Sequence, residues 1–267
     1  MRFATPLVLL GAGLLSAASP VRSGHASAEW VSVSATCPPG KLMQTAIRLV
    51  IDPGWHTYWI NPGEGGMPTS VEWKLPPGWT AGDLSHPVPV RMKTGGLPGF
   101  GHEGTLLLPV TLTAPDDFTG TVKLQADVSW LTCDDSACIP GDAKLVLEVK
   151  SGPVQAGENE ASILASLKKI PKTLPGHSLT SIDAGKTLKL SILPADGETR
   201  DLSTYQVFPE TPNVIDPAAV VRFVKTGKLW TAEAAKSEYL NGGPKELALV
   251  LADPETNEAI RLQWSKP

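Results

Sequence analysis

The sequence lacks any long hydrophobic run beyond its first residues, and it lacks the motifs of several common enzyme classes. After residue 28, no apolar stretch approaches the roughly 20 residues that a membrane-spanning helix needs. No Ser-His-Asp set, phosphate-binding loop or paired-carboxylate motif stands out. Basic residues are in deficit, with 23 Lys and Arg against 27 Asp and Glu, which argues against nucleic acid or an anionic membrane as a partner.

The first 28 residues have the features of a secretory signal peptide. Arg2 supplies a positive start, and Ala4 to Leu15 form an apolar core that is too short to span a bilayer. A small-x-small motif ending at Ala28 predicts cleavage there, while a similar motif ending at Ala18 is weaker because a proline follows closely. We therefore expect an exported, periplasmic protein, in a compartment where disulfides persist.

Cysteine is scarce, and two of the three cysteines lie close together. Cys133 and Cys138 are separated by four residues. Period-2 alternation over Val122 to Trp130 and again over Ala143 to Val149 predicts a β-hairpin with a long tip, which would bring the two cysteines within reach of each other. For Cys37 we favour a free, buried thiol over an intermolecular bond or a third redox partner.

Short alternating segments separated by proline and glycine predict an all-β fold. Seven or so strands between Trp30 and Lys150 are typical of an immunoglobulin-like β-sandwich. Lys93 to Gly104 contains five glycines and is expected to be a mobile loop. We place a domain boundary after residue 152, so that residues 29–152 form the first domain and residues 153–267 a second, smaller β-rich domain with one helix over 160–170.

Two interpretations of the cysteine pair compete at this point. A structural disulfide is the usual case in a secreted protein, but closing so short a loop stabilises by only about 2 kcal/mol. Accessible disulfides of this kind are often the reactive ones. The pair differs from the Cys-x-x-Cys of thioredoxins at a helix N-terminus, and Asp134 and Asp135 should disfavour a thiolate on Cys133. Such a dithiol suits a carrier that reacts inside a protein complex.

Three motifs resemble a known family. Residues 130–140 (WLTCDDSACIP), 53–63 (PGWHTYWINPG) and 86–90 (HPVPV) resemble the N-terminal periplasmic domain of the DsbD family of thiol:disulfide interchange proteins, especially its ScsB-like branch. The resemblance covers roughly Trp30 to Lys150. It implies an immunoglobulin-like fold and a role in thiol–disulfide exchange, in a family also linked to cytochrome c biogenesis.

The resemblance also implies partners and a reactive pair. Cys133 and Cys138 would be the redox cysteines, with Cys138 favoured for the mixed disulfide. Reducing equivalents would come from a membrane-embedded thiol donor, here a separate chain, and pass to a periplasmic thioredoxin-like or disulfide isomerase-like client. The resemblance implies neither a cofactor nor a metal.

The surroundings of the pair are predicted by the same resemblance. Phe100 falls where family members carry a cap aromatic that shields the cysteines, and His56 and Tyr58 fall on a strand near the active site. His102 stands where an aromatic residue is expected, so its role is open.

Three alternatives stay open on the sequence alone. The chain could be a non-catalytic binding or assembly module with a structural disulfide. Cys133 and Cys138 with His102 or Met92 could bind copper through soft ligands, although no metal-ligand spacing supports this. The tryptophans around residues 55–59 could form a sugar-binding platform, although tryptophans alternating along strands more often belong to a core.

Overall fold

The computed structural model describes residues 19–266, most of which lie in β-strands. Residues 1–18 of the expected signal peptide lie outside the described residues. Within residues 19–266, no helix has the length and apolar character needed to cross a bilayer. The predicted all-β, immunoglobulin-like architecture is confirmed.

The first domain is a sandwich of two sheets. In chain order its strands are β1 (Val21–Ser23), β2 (Ala26–Ser32), β3 (Thr36–Cys37), β4 (Leu42–Ile51), β5 (His56–Gly63), β6 (Ser70–Lys74), β7 (Thr80–Ala81), β8 (Val90–Thr94), β9 (Leu97–Glu103), β10 (Thr105–Thr113), β11 (Thr121–Cys133) and β12 (Cys138–Ser151). One sheet has the order β1-β2-β4-β10-β7, and the other has the order β3-β12-β11-β5-β9-β8 with β6 also paired to β11.

Alternation along β11 explains how this sandwich forms its core. Leu124, Ala126, Val128 and Trp130 are at most 1% exposed, while the residues between them point away from the core. Each side chain of such a strand faces the opposite side from its neighbours, so one face can pack against the second sheet. The cysteine hairpin is therefore fixed along its length by the main core.

The glycine-rich segment that we expected to be a mobile loop is a β-hairpin. β8 and β9 pair antiparallel from Val90↔Gly101 to Thr94↔Leu97. Gly95 and Gly96 both have positive φ and form the turn, a conformation that other residues adopt only with strain. A Cβ on Gly101 would collide with the carbonyl oxygen of Thr57, so this glycine allows close packing of β9 on β5.

The second domain is another, smaller sandwich. Its strands are β13 (Lys172–Thr173), β14 (Ser178–Asp183), β15 (Thr187–Leu193), β16 (Gln206–Pro209), β17 (Val224–Thr226), β18 (Leu229–Ala235), β19 (Glu246–Ala252) and β20 (Ala259–Ser265). Two four-stranded sheets have the orders β13-β20-β19-β16 and β14-β15-β18-β17. Between them lies a separate core that includes Leu190, Phe223 and Leu249.

The helix lies on the first domain rather than the second. Helix α1 (Glu160–Leu167) packs Ile163 against Val31 and Ala46 on the outer face of the β2–β4–β10 sheet. The sequence predicts this helix in the second domain, beyond a boundary at residue 152. The buried face of the helix instead contacts the first sandwich.

Residues at the start of the described chain belong to the first sandwich. β1 and β2 form a hairpin, and β2 pairs with β4 from Ala26↔Ile51 to Ser32↔Thr45. Ala26 and Ala28 are 0% exposed. Thus the residues just before the predicted cleavage site contribute to a sheet and to the core.

Candidate functional site

Cys133 and Cys138 form a disulfide at the end of the β11–β12 hairpin. The two strands stay in register over their whole length, and Cys133 and Cys138 are the last pair, with Cα atoms 4.1 Å apart. Only residues 134–137 form the tip, which is shorter than we predicted because the strands continue to the cysteines themselves.

The tip is closed by Asp134. Its Oδ1 accepts hydrogen bonds from the backbone N–H groups of Ser136 and Ala137, each 2.7 Å long, and from the Ser136 hydroxyl at 2.8 Å. These hydrogen bonds lower the pKa of the Asp134 carboxyl. Asp134 therefore keeps its negative charge next to Cys133, as the sequence suggested.

The two cysteines differ sharply in accessibility. Cys133 is 0% exposed, whereas Cys138 is an exposed residue at the start of β12. A partner that docks on the hairpin end meets Cys138 at the surface, whereas Cys133 is closed to solvent. The site is thus asymmetric, with one exposed and one buried cysteine.

His56 lies beside Cys133, and Tyr58 follows two residues further along β5 with its ring centroid 5.3 Å from that of His56. His56 is the direct cross-strand partner of Cys133 between β5 and β11. His56 Nε2 is 2.8 Å from the Thr94 hydroxyl, and the Tyr58 hydroxyl is 3.0 Å from the same atom. Burial lowers the pKa of His56, although nearby acidic residues, among them Glu103, oppose that shift. Burial also raises the pKa of Tyr58.

Through the hydroxyl of Thr94, the tip of the β8–β9 hairpin lies against this site. We call this tip, residues 94–97, the cap. The adjoining turn lies beside the cysteine loop, since a Cβ on Gly95 would be 4.0 Å from the carbonyl oxygen of Asp135. Sequence reasoning did not identify Thr94. The Gly95-Gly96 pair, which is a common hairpin turn, was the available signal.

Phe100 and His102 do not cover the cysteines, so the expected cap role of Phe100 is wrong. Side chains alternate between the faces of β5 and β9, and Thr57 pairs with His102 while His56 pairs with Glu103. Phe100 and His102 therefore lie on the face opposite the disulfide. Phe100 is 0% exposed and packs edge-on against Trp59 of β5 and Phe208 of the second domain.

His102 and His86 are a pair of histidines with buried ring nitrogens. Nε2 of His102 and Nδ1 of His86 have no hydrogen-bond partner among the described residues. Burial lowers the pKa of His86 to about 4. Burial, together with the charges of His86 and Lys169, lowers the pKa of His102 to about 3. Both imidazoles are neutral at neutral pH.

The arrangement does not support a copper site that includes His102. His102 lies on the other side of the sheet from Cys133 and Cys138, so these residues cannot converge on one ion. Within residues 19–266, no group of three or more His, Cys, Asp or Glu side chains has the geometry of a metal site. Cys37 is a free, buried thiol, as expected, and burial raises its pKa.

The tryptophans do not form a sugar-binding platform. Trp59 and Trp79 are buried in two different hydrophobic clusters, and Trp73 packs against Trp30 with ring centroids 5.1 Å apart. Trp55 stacks on His25, with ring centroids 3.6 Å apart.

His25 connects the N-terminal hairpin to the cysteine hairpin. Its backbone N–H donates to the Thr132 hydroxyl at 3.3 Å, and that hydroxyl donates to the carbonyl of Ile139 at 3.0 Å. Its Nδ1 is 3.1 Å from a carboxylate oxygen of Asp52. The residues next to both cysteines are thus tied to the start of the described chain.

Comparison with known proteins gives one family and one similar fold. Residues 27–150 match the family model of the N-terminal domain of the thiol:disulfide interchange protein DsbD. Comparison with curated protein sequences finds no significant match.

Among solved structures, the N-terminal periplasmic domain of ScsB from Proteus mirabilis is 19% identical, with a TM-score of 0.66 over 90% of this chain and 93% of that one. The likeness therefore extends over both domains and shows a shared fold. A protein of unknown function from Porphyromonas gingivalis W83 is 11% identical, with a TM-score of 0.28 over 91% of this chain and 100% of that one. The sporulation control protein Spo0M from Bacillus subtilis is 11% identical, with a TM-score of 0.23 over 91% of each chain.

Proposed function

We propose that this chain is a periplasmic thiol–disulfide exchange protein whose reactive pair is Cys133 and Cys138, since residues 27–150 match the model of the DsbD N-terminal domain. It carries reducing equivalents from a membrane-embedded thiol donor to a periplasmic disulfide protein with a thioredoxin-like or disulfide isomerase-like fold. The first 18 residues include the signal that directs the chain across the membrane.

The observation that carries this proposal is the difference in exposure between the two cysteines. Cys133 is 0% exposed and Cys138 is exposed. Exchange proceeds by attack of a thiolate on one sulfur of a disulfide, and the accessible sulfur is the one attacked. This asymmetry supports a role for Cys138 in the mixed disulfides with both partners and for Cys133 as the buried leaving and resolving thiol.

In the first half of the cycle, a donor thiolate attacks Sγ of Cys138. The Cys133–Cys138 bond breaks, Cys133 leaves as a thiolate and takes up a proton, and a mixed disulfide joins Cys138 to the donor. The second thiol of the donor then attacks the donor sulfur of that bond. The donor leaves as a disulfide, and two electrons and two protons have passed to the pair.

In the second half, the Cys138 thiolate attacks the disulfide of the client. One client sulfur leaves as a thiolate, and the other is bound to Cys138. Cys133, which is adjacent across the hairpin, then attacks Sγ of Cys138. The pair is oxidised again and the client is released as a dithiol, so electrons and protons balance.

The acidic loop supports a reaction inside a complex. Asp134 keeps a negative charge beside Cys133, and Cys133 is buried, and both conditions disfavour its thiolate. A docked partner that covers the loop and supplies positive charge would lower this cost. The pair should then react slowly with glutathione and quickly with its own partners.

Trapping of a mixed disulfide tests the assignment. In a Cys133→Ala variant, Cys138 remains as an accessible thiol with no resolving partner. With a thioredoxin-fold protein whose active-site cysteine is activated by thionitrobenzoate, this variant should form a stable covalent complex. The Cys138→Ala variant should form the complex at least about tenfold more slowly, because its only pair thiol is buried.

A double variant, Cys133→Ala with Cys138→Ala, is the matched control because it retains only the buried thiol of Cys37. It should give no complex. Equal trapping by the two single variants would contradict the assignment of Cys138. No trapping by either would contradict the exchange function itself.

A further inference from the structure

The two domains meet at a small hydrophobic core of their own. Trp59 and Phe100 from the first domain pack with Phe208, Val250, Ala252 and Ala259 from the second, and all of these are buried. The ring centroids of Phe100 and Phe208 are 6.0 Å apart in an edge-on arrangement. Asn61 of β5 adds a hydrogen bond of 2.7 Å to the carbonyl of Pro209.

Arg91 of β8 is the polar part of this junction. Its guanidinium lies 5.2 Å from the ring centroid of Phe100 and 5.6 Å from that of Phe208. The same group donates hydrogen bonds of 2.9 Å to the carbonyls of Val207 and Pro217 in the second domain. No carboxylate forms an ion pair with Arg91 among residues 19–266, so ring faces and carbonyls alone compensate for the loss of water.

Arg91 and Thr94 lie on the same short strand and face opposite sides of the sheet. Arg91 contacts the second domain, while Thr94 hydrogen-bonds His56 and Tyr58 beside the disulfide. Phe100 on the paired strand β9 also faces the second domain. The β8–β9 hairpin is thus attached to the second domain at its middle and to the redox site at its tip.

We propose that the second domain positions the cap over Cys133, with Arg91 as the positioning residue. A shift of the β8 backbone displaces side chains on both faces, because the strand is a single paired ladder of five residues whose alternate side chains face opposite sides of the sheet. Contacts at the junction therefore set how often the tip leaves His56 and Tyr58. Loss of these contacts would expose Cys133 without any change at the cysteine hairpin.

This inference rests on the proposed function only in taking Cys133 as a reactive thiol that the cap controls. Its test needs no partner protein. If exchange with partners is observed but the alkylation rates do not change, only the positioning proposal fails. If the alkylation rates change but no exchange with partners is observed, only the proposed function fails. Failure of one proposal is therefore distinguishable from failure of the other.

The experiment measures alkylation at each cysteine of the reduced full-length protein. Iodoacetamide labelling is quenched at intervals, and peptide mass spectrometry gives separate rates for Cys37, Cys133 and Cys138. In Arg91→Met, which keeps the aliphatic length but removes the charge and the donors, we expect the ratio of the Cys133 rate to the Cys138 rate to rise about tenfold, as expected when a charged hydrogen-bonded contact no longer favours the closed state. Arg91→Lys should give a smaller rise.

Variants of the second domain separate positioning from general destabilisation. Phe208→Leu, on the far side of the junction, should raise the Cys133 ratio in the same direction as Arg91→Met. Ile192→Val, a change in the core of the second sandwich away from the junction, should leave it unchanged. Cys37 is a free thiol buried in the core of the first sandwich. Faster labelling of Cys37 in any variant would therefore show that this sandwich has lost its structure.

An unchanged Cys133 ratio in both Arg91→Met and Phe208→Leu would overturn the proposal. An equal rise in Ile192→Val would overturn it too, since stability rather than the junction would then control the cap. If Arg91→Met does not fold, Phe208→Leu decides by the same measurement. Amide hydrogen exchange in β8 and β9 should rise with the ratio.

Discussion

His56 lies directly opposite Cys133 where β5 pairs with β11, and its Nε2 is 2.8 Å from the hydroxyl of Thr94 at the tip of the β8–β9 hairpin. This relationship places the buried cysteine, an adjacent imidazole and the cap in one connected unit. The cap tip is therefore attached to the strand next to the redox pair by a side-chain hydrogen bond. By the proposal above, exposure of Cys133 to small reagents depends on whether that hydrogen bond forms.

Removal of the Thr94 hydroxyl should loosen the cap. Thr94→Val keeps the shape of the side chain but cannot bond His56 or Tyr58. We expect alkylation of reduced Cys133 to become about fivefold faster, since each net hydrogen bond contributes on the order of 1 kcal/mol. Thr180→Val on an exposed strand of the second domain is the matched control. Identical Cys133 rates in Thr94→Val and wild type would contradict the role of Thr94.

Stability should fall in mild acid because of His86 and His102. Burial lowers their pKa values to about 4 and about 3, whereas an unfolded histidine titrates near 6.5. Below about pH 6.5 the unfolded chain binds protons that the folded chain does not. The free energy of unfolding should therefore decrease as the pH falls, by up to about 1.4 kcal/mol per pH unit for each histidine.

Urea unfolding between about pH 7 and about pH 5 measures this slope. A variant with His86→Gln and His102→Gln should be less dependent on pH over that interval, whatever its absolute stability. A slope equal to that of the wild type would show that other groups cause the acid sensitivity.

The mature N-terminus should lie before Val21 rather than at Glu29. Cleavage after Ala28 would remove β1 and the first residues of β2, including two alanines that are 0% exposed. Cleavage after Ala18, the alternative motif, keeps the hairpin intact. Mass spectrometry of the exported protein should give the mass of a chain that starts near residue 19.

Truncations provide an independent check of the same point. A chain starting at Glu29 should lose several kcal/mol of stability, because a paired strand and buried side chains are removed. A chain starting at Val21 is the matched control, since Ser19 and Pro20 are exposed and outside the strands. Equal melting temperatures for the two truncations would contradict a structural role for residues 21–28.

The cysteine hairpin could be predicted because the sequence pattern that specifies it is local. Alternation on both sides of Cys133 and Cys138 determines which residues face the core, and the structure has the same faces. The series of short alternating segments predicted the immunoglobulin-like sandwich, and the family resemblance implies the same fold. His56 was placed near the pair because its strand lies in one of the matching motifs.

The cap and the domain junction could not be predicted, because they are specified by tertiary contacts that no local sequence pattern shows. Glycine-rich segments occur both in loops and in hairpins with close backbone contacts, so Lys93–Gly104 was ambiguous. The face on which Phe100 lies depends on the register between β5 and β9, and a shift of one residue would reverse it. Packing of helix α1 on the first sandwich is likewise a tertiary contact that no local pattern specifies.

The reduction potential of the Cys133–Cys138 pair tests the central claim most directly. The folded protein is equilibrated in glutathione or thioredoxin buffers of defined potential, and the fraction of oxidised pair is measured by thiol labelling and mass spectrometry. A carrier should titrate with a midpoint between about −200 and about −300 mV, without loss of the fold. A pair that stays oxidised below about −300 mV until the protein unfolds would be a structural disulfide, and the exchange function would then be wrong.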